Sequence, residues 1–213
     1  MSRQGHYGRL RQGLRELGEE PGTHPCEAYL AYIELLSQWN RTYSLTGIRG
    51  EARMLTHHIF DSLSALPYVR GTPCLDVGSG AGLPGFILAL ARPEQEWVLL
   101  DSNKKKIRFL RQAVLELKPG NVEVVHNRLE DYRPGERFMT VISRALTSLE
   151  GFRNLSLPVL RADGRIVAMK GTCPEAELKV MRGAGLAYAV HELTVPGTEA
   201  ERHIIVMEGH PPP

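Results

Sequence analysis

The segment Asp76-Val77-Gly78-Ser79-Gly80-Ala81-Gly82-Leu83-Pro84-Gly85 combines residue types and spacing that point to ligand chemistry. Glycines let a chain turn tightly and let a ligand approach the backbone. The segment follows a short apolar run and opens a helical pattern, with Pro84 suited to a first helical turn. Amides at that helix start are therefore expected to face a ligand. Asp101 ends the next apolar run, where a carboxylate can hold ribose hydroxyls. Arg144 and Lys170 each follow a later run, on the rim where α/β sheets bind ligands.

Two patterns overlap in the glycine segment. Gly80 to Gly85 reads GxGxxG, the dinucleotide pattern, which keeps an NAD(P)-dependent oxidoreductase as an alternative. Gly78-Ser79-Gly80-Ala81-Gly82, preceded by Asp76, reads (D/E)xGxGxG, the pattern of S-adenosylmethionine (AdoMet) methyltransferases. Asp76 on its strand, the ending of the chain and the acids in Arg128-Leu129-Glu130-Asp131 favour AdoMet. AdoMet carries no phosphate, so it needs carboxylates and backbone contacts more than an anion cradle.

The elements that must position these residues follow from periodicity. Residues 1 to about 66 read as helical: Leu10, Leu14 and Leu17 share a face, as do Tyr29, Ile33 and Leu36, and then Leu55, Ile59, Leu63 and Leu66. From Pro73 short apolar runs alternate with helical stretches: Cys74–Val77, Trp97–Leu100, Val122–Val125, Phe138–Ile142 and Arg165–Met169. That alternation predicts a parallel sheet with helices on both faces. Ala187–Val195 and His203–Met207, separated by a polar turn, predict an antiparallel C-terminal hairpin. The expected fold is a Rossmann-like class I AdoMet-dependent methyltransferase: a seven-stranded, mostly parallel sheet over 67–210, behind a helical N-terminal extension, 1–66.

Composition narrows the setting. A net charge of +2 leaves any basic surface to a local patch. Cys26, Cys74 and Cys173 are scattered, so reduced thiols in a cytoplasm are expected and no metal site. No apolar run is long enough to span a membrane, and no apolar stripe is left over for a partner, so a monomer is expected.

The acceptor is constrained by what is missing. Ser143-Arg144-Ala145-Leu146 stands where exocyclic-amine methyltransferases often carry (D/N)PP(Y/F). Pyrimidine C5 chemistry needs a thiolate nucleophile, and Cys173, in Gly171-Thr172-Cys173-Pro174, has no activating base nearby in sequence. Guanine N7 offers a lone pair at neutral pH, so catalysis there can be positioning alone.

Further motifs carry a resemblance. Trp39-Asn40-Arg41…Leu45-Thr46-Gly47-Ile48, His58-Ile59-Phe60-Asp61-Ser62-Leu63, Asp76 to Gly85, Leu99-Leu100-Asp101-Ser102, Ile142-Ser143-Arg144-Ala145, Lys170-Gly171 and Glu201-Arg202-His203 occur in order. Together they resemble the bacterial 16S rRNA (guanine-N7) methyltransferase G family. The resemblance implies methyl transfer to N7 of a guanine in the decoding region of 16S rRNA. It implies AdoMet contacts at Gly78, Leu83, Leu129, Glu130 and Arg144, with Asp101 on the ribose. Ser79, Gly80 and Gly82 join them from the glycine pattern. This chain has Tyr43-Ser44 where the family usually has Asn before Leu-Thr.

RNA contacts are expected at Arg41 and at Lys104, Lys105, Lys106 and Arg108. Those four cations open a helix whose dipole disfavours them, and RNA phosphate would offset that cost. Lys170, Arg202 and His203 complete the expected RNA contacts. Arg144 and Lys170 are candidates for positioning the acceptor. His58 and Asp61, three apart on a helix, are expected to share a face, as a buried hydrogen-bonded pair before a catalytic one. A non-enzymatic RNA- or ribosome-binding protein is the remaining alternative.

Overall fold

The structure, a computed structural model, describes residues 2–144 and 147–209. Ala145 and Leu146 of the fourth-strand motif, and the tail Pro211–Pro213, lie outside the described residues.

Seven strands form one sheet in the order β3-β2-β1-β4-β5-β7-β6. They are β1 (Cys74–Val77), β2 (Trp97–Asp101), β3 (Val122–His126), β4 (Phe138–Arg144), β5 (Leu160–Lys170), β6 (Ala189–Glu192) and β7 (His203–Glu208). β1 to β5 pair in parallel, with Leu75 opposite both Val98 and Val141. The antiparallel ending is present, because β7 runs against both β5 and β6. β6, first in sequence, takes the edge, and it is shorter than the expected Ala187–Val195.

The chain steps outward from β1 to β3, then returns to β4 and steps the other way. Crossovers in opposite directions put their helices on opposite faces. Alternate strand residues divide accordingly: Cys74, Leu99, Ile142 and Val167 enter one apolar cluster, while Leu75, Leu100, Val141 and Ile166 enter the other. Helices α5 (Gly85–Ala91) and α6 (Lys104–Leu117) cover the first face, and α7 (Leu149–Ser156) and α8 (Glu175–Gly183) the second. The strand order reverses between β1 and β4, where open α/β sheets place their ligands, at the carboxyl ends.

The first face carries a second layer. α1 (Arg3–Glu16) and α2 (Cys26–Tyr43) send Leu10, Leu14, Tyr29, Tyr32, Ile33 and Leu36 into the same cluster as Phe86, Phe109 and Leu110. The third helical segment is not one uniform α stripe. It runs as α3 (Glu51–Met54), a wide π turn (Leu55–Phe60) and α4 (Asp61–Leu63). Such a widening changes which side chains share a face, and it is common at functional sites.

β5 starts at Leu160, earlier than the apolar run suggests, with a register shift opposite Phe138/Thr140. Gly164 lies in that irregular stretch, where an added Cβ would meet the Phe138 carbonyl oxygen at 2.9 Å. Ser44 closes α2 in the left-handed region, φ 50° and ψ 52°. Asn and Gly tolerate that region best.

Candidate active site

The glycine segment leaves β1 as a loop in which Gly78, Gly80 and Gly82 all have positive φ. The amides of Gly78 and Ser79 donate to the Leu100 carbonyl at 2.8 and 3.1 Å, and those of Gly82 and Leu83 to the Ser79 carbonyl at 2.7 and 2.9 Å. The Gly85 amide donates to Asp76 Oδ2 at 2.8 Å, and an added Gly85 Cβ would lie 2.6 Å from the Asp76 Cβ. The expectation that helix-start amides face a ligand is therefore corrected. These amides are taken up by β2, the loop and Asp76, and a carboxylate stands at the helix start where the Gly80-to-Gly85 dinucleotide reading needs an anion site. Asp76 is fully buried, its Oδ1 has no partner, and burial pushes its carboxyl up to about 7.

Asp101 ends β2 beside this loop. Its Oδ2 accepts from the Gly80 amide at 2.8 Å and its Oδ1 from the Asn103 amide at 2.7 Å. Two amides fix the carboxylate, and each oxygen keeps a lone pair for a ligand hydroxyl. A cleft of about 280 Å³ opens here, lined by Gly78, Asp101, Leu129, Glu130, Asn127 and Leu155 among others. Ser79, with its hydroxyl on the Leu100 carbonyl, and the Leu83 side chain are buried. Gly82 presses on the core, where an added Cβ would meet the Phe86 Cβ at 2.8 Å. None of these three lines the cleft.

A larger cleft, about 470 Å³, lies at the carboxyl ends of β4 and β5. Thr46, His57, His58, Asp61 and Arg144 form part of its wall, and Lys170, Gly171, Arg202 and His203 another. Ile48, Met169 and Leu193 supply apolar surface. The Ser143 hydroxyl donates to the Val77 carbonyl at 2.7 Å, tying the end of β4 to the start of the glycine loop. Arg144 thus lines the larger cleft, not the smaller cleft that holds Asp101.

The cations of the larger cleft are held by acids. Arg144 Nη1 donates to Asp61 Oδ2 at 3.0 Å and to the His57 carbonyl at 3.1 Å. Arg202 Nε donates to Asp61 Oδ1 at 2.7 Å. The Asp61 side chain is 4% exposed, against 29% and 24% for the two arginines. Lys170 Nζ bonds both Glu177 oxygens, at 3.0 and 3.1 Å, and Glu177 also accepts the Leu149 amide. His203 Nδ1 donates to the Gly171 carbonyl at 2.8 Å.

His58 does not pair with Asp61, which corrects the sequence reading. Its Nδ1 donates to the His57 carbonyl at 2.9 Å, so Nε2 accepts from the Thr46 hydroxyl at 3.1 Å. Thr46 is held in turn: its amide donates to Asn40 Oδ1 at 2.9 Å. Burial, then the Arg144 charge, push the His58 imidazole down to about 4, so it is neutral with both nitrogens engaged. Burial also lowers His57, with Arg202 and Arg53 adding to the effect.

The remaining candidates lie outside both clefts. Arg41 is exposed in the last turn of α2, where a cation complements the helix dipole. Lys104, Lys105 and Arg108 are exposed on α6, capped by Asn103, whose side chain accepts the Lys105 amide at 2.9 Å. Lys106 folds back, its Nζ 3.7 Å from where a Gly80 Cβ would be. Sequence reasoning missed Thr46 as a cleft residue, Glu177 as the partner of Lys170, and Asn127 and Leu155 in the smaller cleft. Glu177 lies on α8 and Leu155 on α7. Among the described residues no group of His, Cys, Asp and Glu could hold a metal ion, and no helix is long and apolar enough to cross a membrane.

Comparison with known proteins agrees with this arrangement. In fold, the chain is similar to the magnesium protoporphyrin IX methyltransferase of Synechocystis PCC 6803 with bound SAM. That match has a TM-score of 0.58 at 13% identity, covering 83% of this chain and 97% of that one. It is also similar to Aeropyrum pernix fibrillarin in complex with S-adenosyl-L-methionine (TM-score 0.54, 14% identity, 70% of this chain and 72% of that one). These likenesses establish a class I AdoMet-dependent methyltransferase fold. In sequence, the chain is 47% identical over 196 residues to the ribosomal RNA small subunit methyltransferase G of Alkalilimnicola ehrlichii, covering 92% of this chain and 89% of that protein. It is 47% identical over 195 residues to that of Methylococcus capsulatus, covering 92% and 95%. Residues 25–205 match the family described as rRNA small subunit methyltransferase G, and the chain belongs to that family.

Proposed function

We propose that this protein transfers the methyl group of AdoMet to N7 of a guanine in the decoding region of 16S rRNA. One observation carries the reading: two clefts flank the joined carboxyl ends of β1 and β4, one built around the Asp101 carboxylate, the other ringed by Arg144, Lys170 and Arg202.

The smaller cleft suits AdoMet by its donor set. Asp101 would accept the ribose hydroxyls, Leu129 and Glu130 would flank the adenine, and the backbone at Gly78 and Gly80 is open to close approach. When bound, AdoMet supplies an electrophilic sulfonium methyl. The chain's own residues do the rest by placement. A guanine N7 carries its lone pair in plane and unprotonated, so no group need remove a proton. The neutral His58 has no nitrogen free to take one.

The acceptor base must leave its stack to enter the larger cleft, as base-modifying enzymes require. Apolar Ile48, Met169 and Leu193 would face the base, and Arg144, Lys170, Arg202 and His203 its polar edge and phosphates. Arg41, Lys104, Lys105, Lys106 and Arg108 would meet flanking RNA phosphates. In this reading, residues 1–66 form the RNA-facing extension, 67–210 the methyltransferase domain, and the protein works as a cytoplasmic monomer on the small ribosomal subunit.

The test uses radiolabelled AdoMet and small ribosomal subunits lacking guanine-N7 methylation, followed by nucleoside analysis. Label in 7-methylguanosine, lost in Asp101→Ala, is the expected result. AdoMet binding with no label in any nucleoside would overturn the RNA assignment.

A further inference from the structure

Tyr32 lies on α2, outside both clefts, and is fully buried. Its hydroxyl donates to the carbonyl of Ala81, inside the glycine loop. The ring is pinned: it stacks on Phe86 at 5.4 Å between centroids and meets Phe109 edge-on at 6.1 Å. Phe109 is braced by Trp39, two turns further along α2, at 5.8 Å. Burial raises the phenol well above its ordinary value, so it remains a donor across the accessible pH range.

The contact falls on the peptide between Ala81 and Gly82, whose amide donates to the Ser79 carbonyl at 2.7 Å, so the Tyr32 hydroxyl fixes the other side of that peptide. Ala81 sits between Gly80 and Gly82, both at positive φ, and is 5% exposed. The amides of residues 78, 79, 82 and 83 are satisfied within the sheet and loop, whereas the Ala81 carbonyl reaches out to Tyr32 alone among the described residues. A glycine-rich loop has many conformations to lose when a ligand fixes it, and a loop fixed beforehand loses fewer.

We infer that Tyr32 is a positioning residue for the cofactor: its hydroxyl locks the 80–82 peptides in the shape that binds AdoMet, so the helical extension sets cofactor affinity through one hydrogen bond. The inference rests on the AdoMet reading of the glycine loop.

The experiment compares AdoMet titrations of wild type, Tyr32→Phe and Tyr29→Phe, each below its unfolding temperature. Tyr29 is the matched control. It is equally buried on the same helix, but its hydroxyl pairs with His24 Nδ1 at 3.0 Å, away from the loop. Tyr32→Phe should raise the AdoMet dissociation constant about three- to tenfold, the effect of one hydrogen bond. KM for AdoMet should rise alike, with kcat at saturating AdoMet within about twofold. Tyr29→Phe should lower the melting temperature and leave the dissociation constant within about twofold. Phe109→Leu, which keeps the hydroxyl but loosens the ring, should weaken AdoMet to a smaller degree and serves if Tyr32→Phe does not fold. Equal AdoMet affinity in Tyr32→Phe and wild type, or equal losses in the two tyrosine variants, would overturn the inference. Absence of AdoMet binding by wild type would instead overturn the cofactor reading itself.

Discussion

Asp61 and Arg144 are 83 residues apart in sequence, and their side chains meet at 3.0 Å in the wall of the larger cleft. The pair joins the helical extension to the end of β4. Asp61 holds Arg202 as well, so one buried carboxylate orients two cations. Removing one partner of a buried pair is costly because the other charges lose their compensation. Asp61→Asn is expected to destabilise the protein by about 2 kcal/mol, below the roughly 3–5 kcal/mol of fully buried pairs because both arginines reach solvent. Methylation kcat/KM for RNA should fall at least about tenfold while AdoMet affinity moves less than about threefold. Denaturant unfolding and steady-state kinetics check this, and unchanged kinetics would remove Asp61 from the positioning scheme.

Asp101 should dominate cofactor affinity. In Asp101→Asn only one side-chain atom can accept, so either the Gly80 or the Asn103 amide loses its partner and a ribose hydroxyl loses a charged acceptor. The AdoMet dissociation constant is expected to rise roughly 10- to 100-fold. RNA binding in the absence of cofactor should change little. Calorimetric titration with each ligand separates the two.

His58 makes stability sensitive to acid. The folded state holds its imidazole down near 4, whereas the unfolded chain protonates it near 6.5. The unfolded state therefore binds the extra proton first. Stability is lost as pH falls from about 6.5 towards 4, by on the order of 3 kcal/mol from this group. Above 6.5 it has no such effect. His58→Gln should flatten that part of the curve, so the stability gap between wild type and variant narrows from pH 7 to pH 4.5. Parallel curves would show that His58 is not the group responsible.

Ser44 offers a gain. Its left-handed conformation is strained for a serine and natural for asparagine. Ser44→Asn is expected to stabilise by about 0.5–1 kcal/mol, raising the melting temperature by roughly 1–4 °C. A scanning-calorimetry comparison decides it, and a fall would mean that the side chain matters more than the backbone.

The parallel strands were legible because each is an apolar run on a doubly covered sheet, and the runs at Cys74–Val77 and Val122–Val125 fall within a residue of β1 and β3. The start of β5 was not, because Arg161, Ala162 and Asp163 extend the strand through an exposed, irregular stretch that no apolar pattern marks. The glycine loop and Asp101 were legible as neighbours since strand-to-helix turns are local. The shared partner of Arg144 and Arg202 was not: Asp61 lies 83 and 141 residues from them, and only the folded sheet brings them together. His58 and Asp61 were misjudged for a local reason. Both do line the larger cleft, but within the π turn at Leu55–Phe60 the His58 nitrogens go to Thr46 and the His57 carbonyl, while Asp61 is taken by the two arginines.

The two tryptophans are distributed so that light can report on the two layers separately. Trp97 is 1% exposed within β2, while half-buried Trp39 rests on Tyr43 and Phe109 where α2 meets α6. Lifting α2 from α6 would wet only the Trp39 indole and shift its emission to the red, whereas Trp97 would stay dark to quenchers until the sheet itself opened. A Trp97→Phe chain would thus carry its own optical gauge of how firmly the outer helices grip the inner layer.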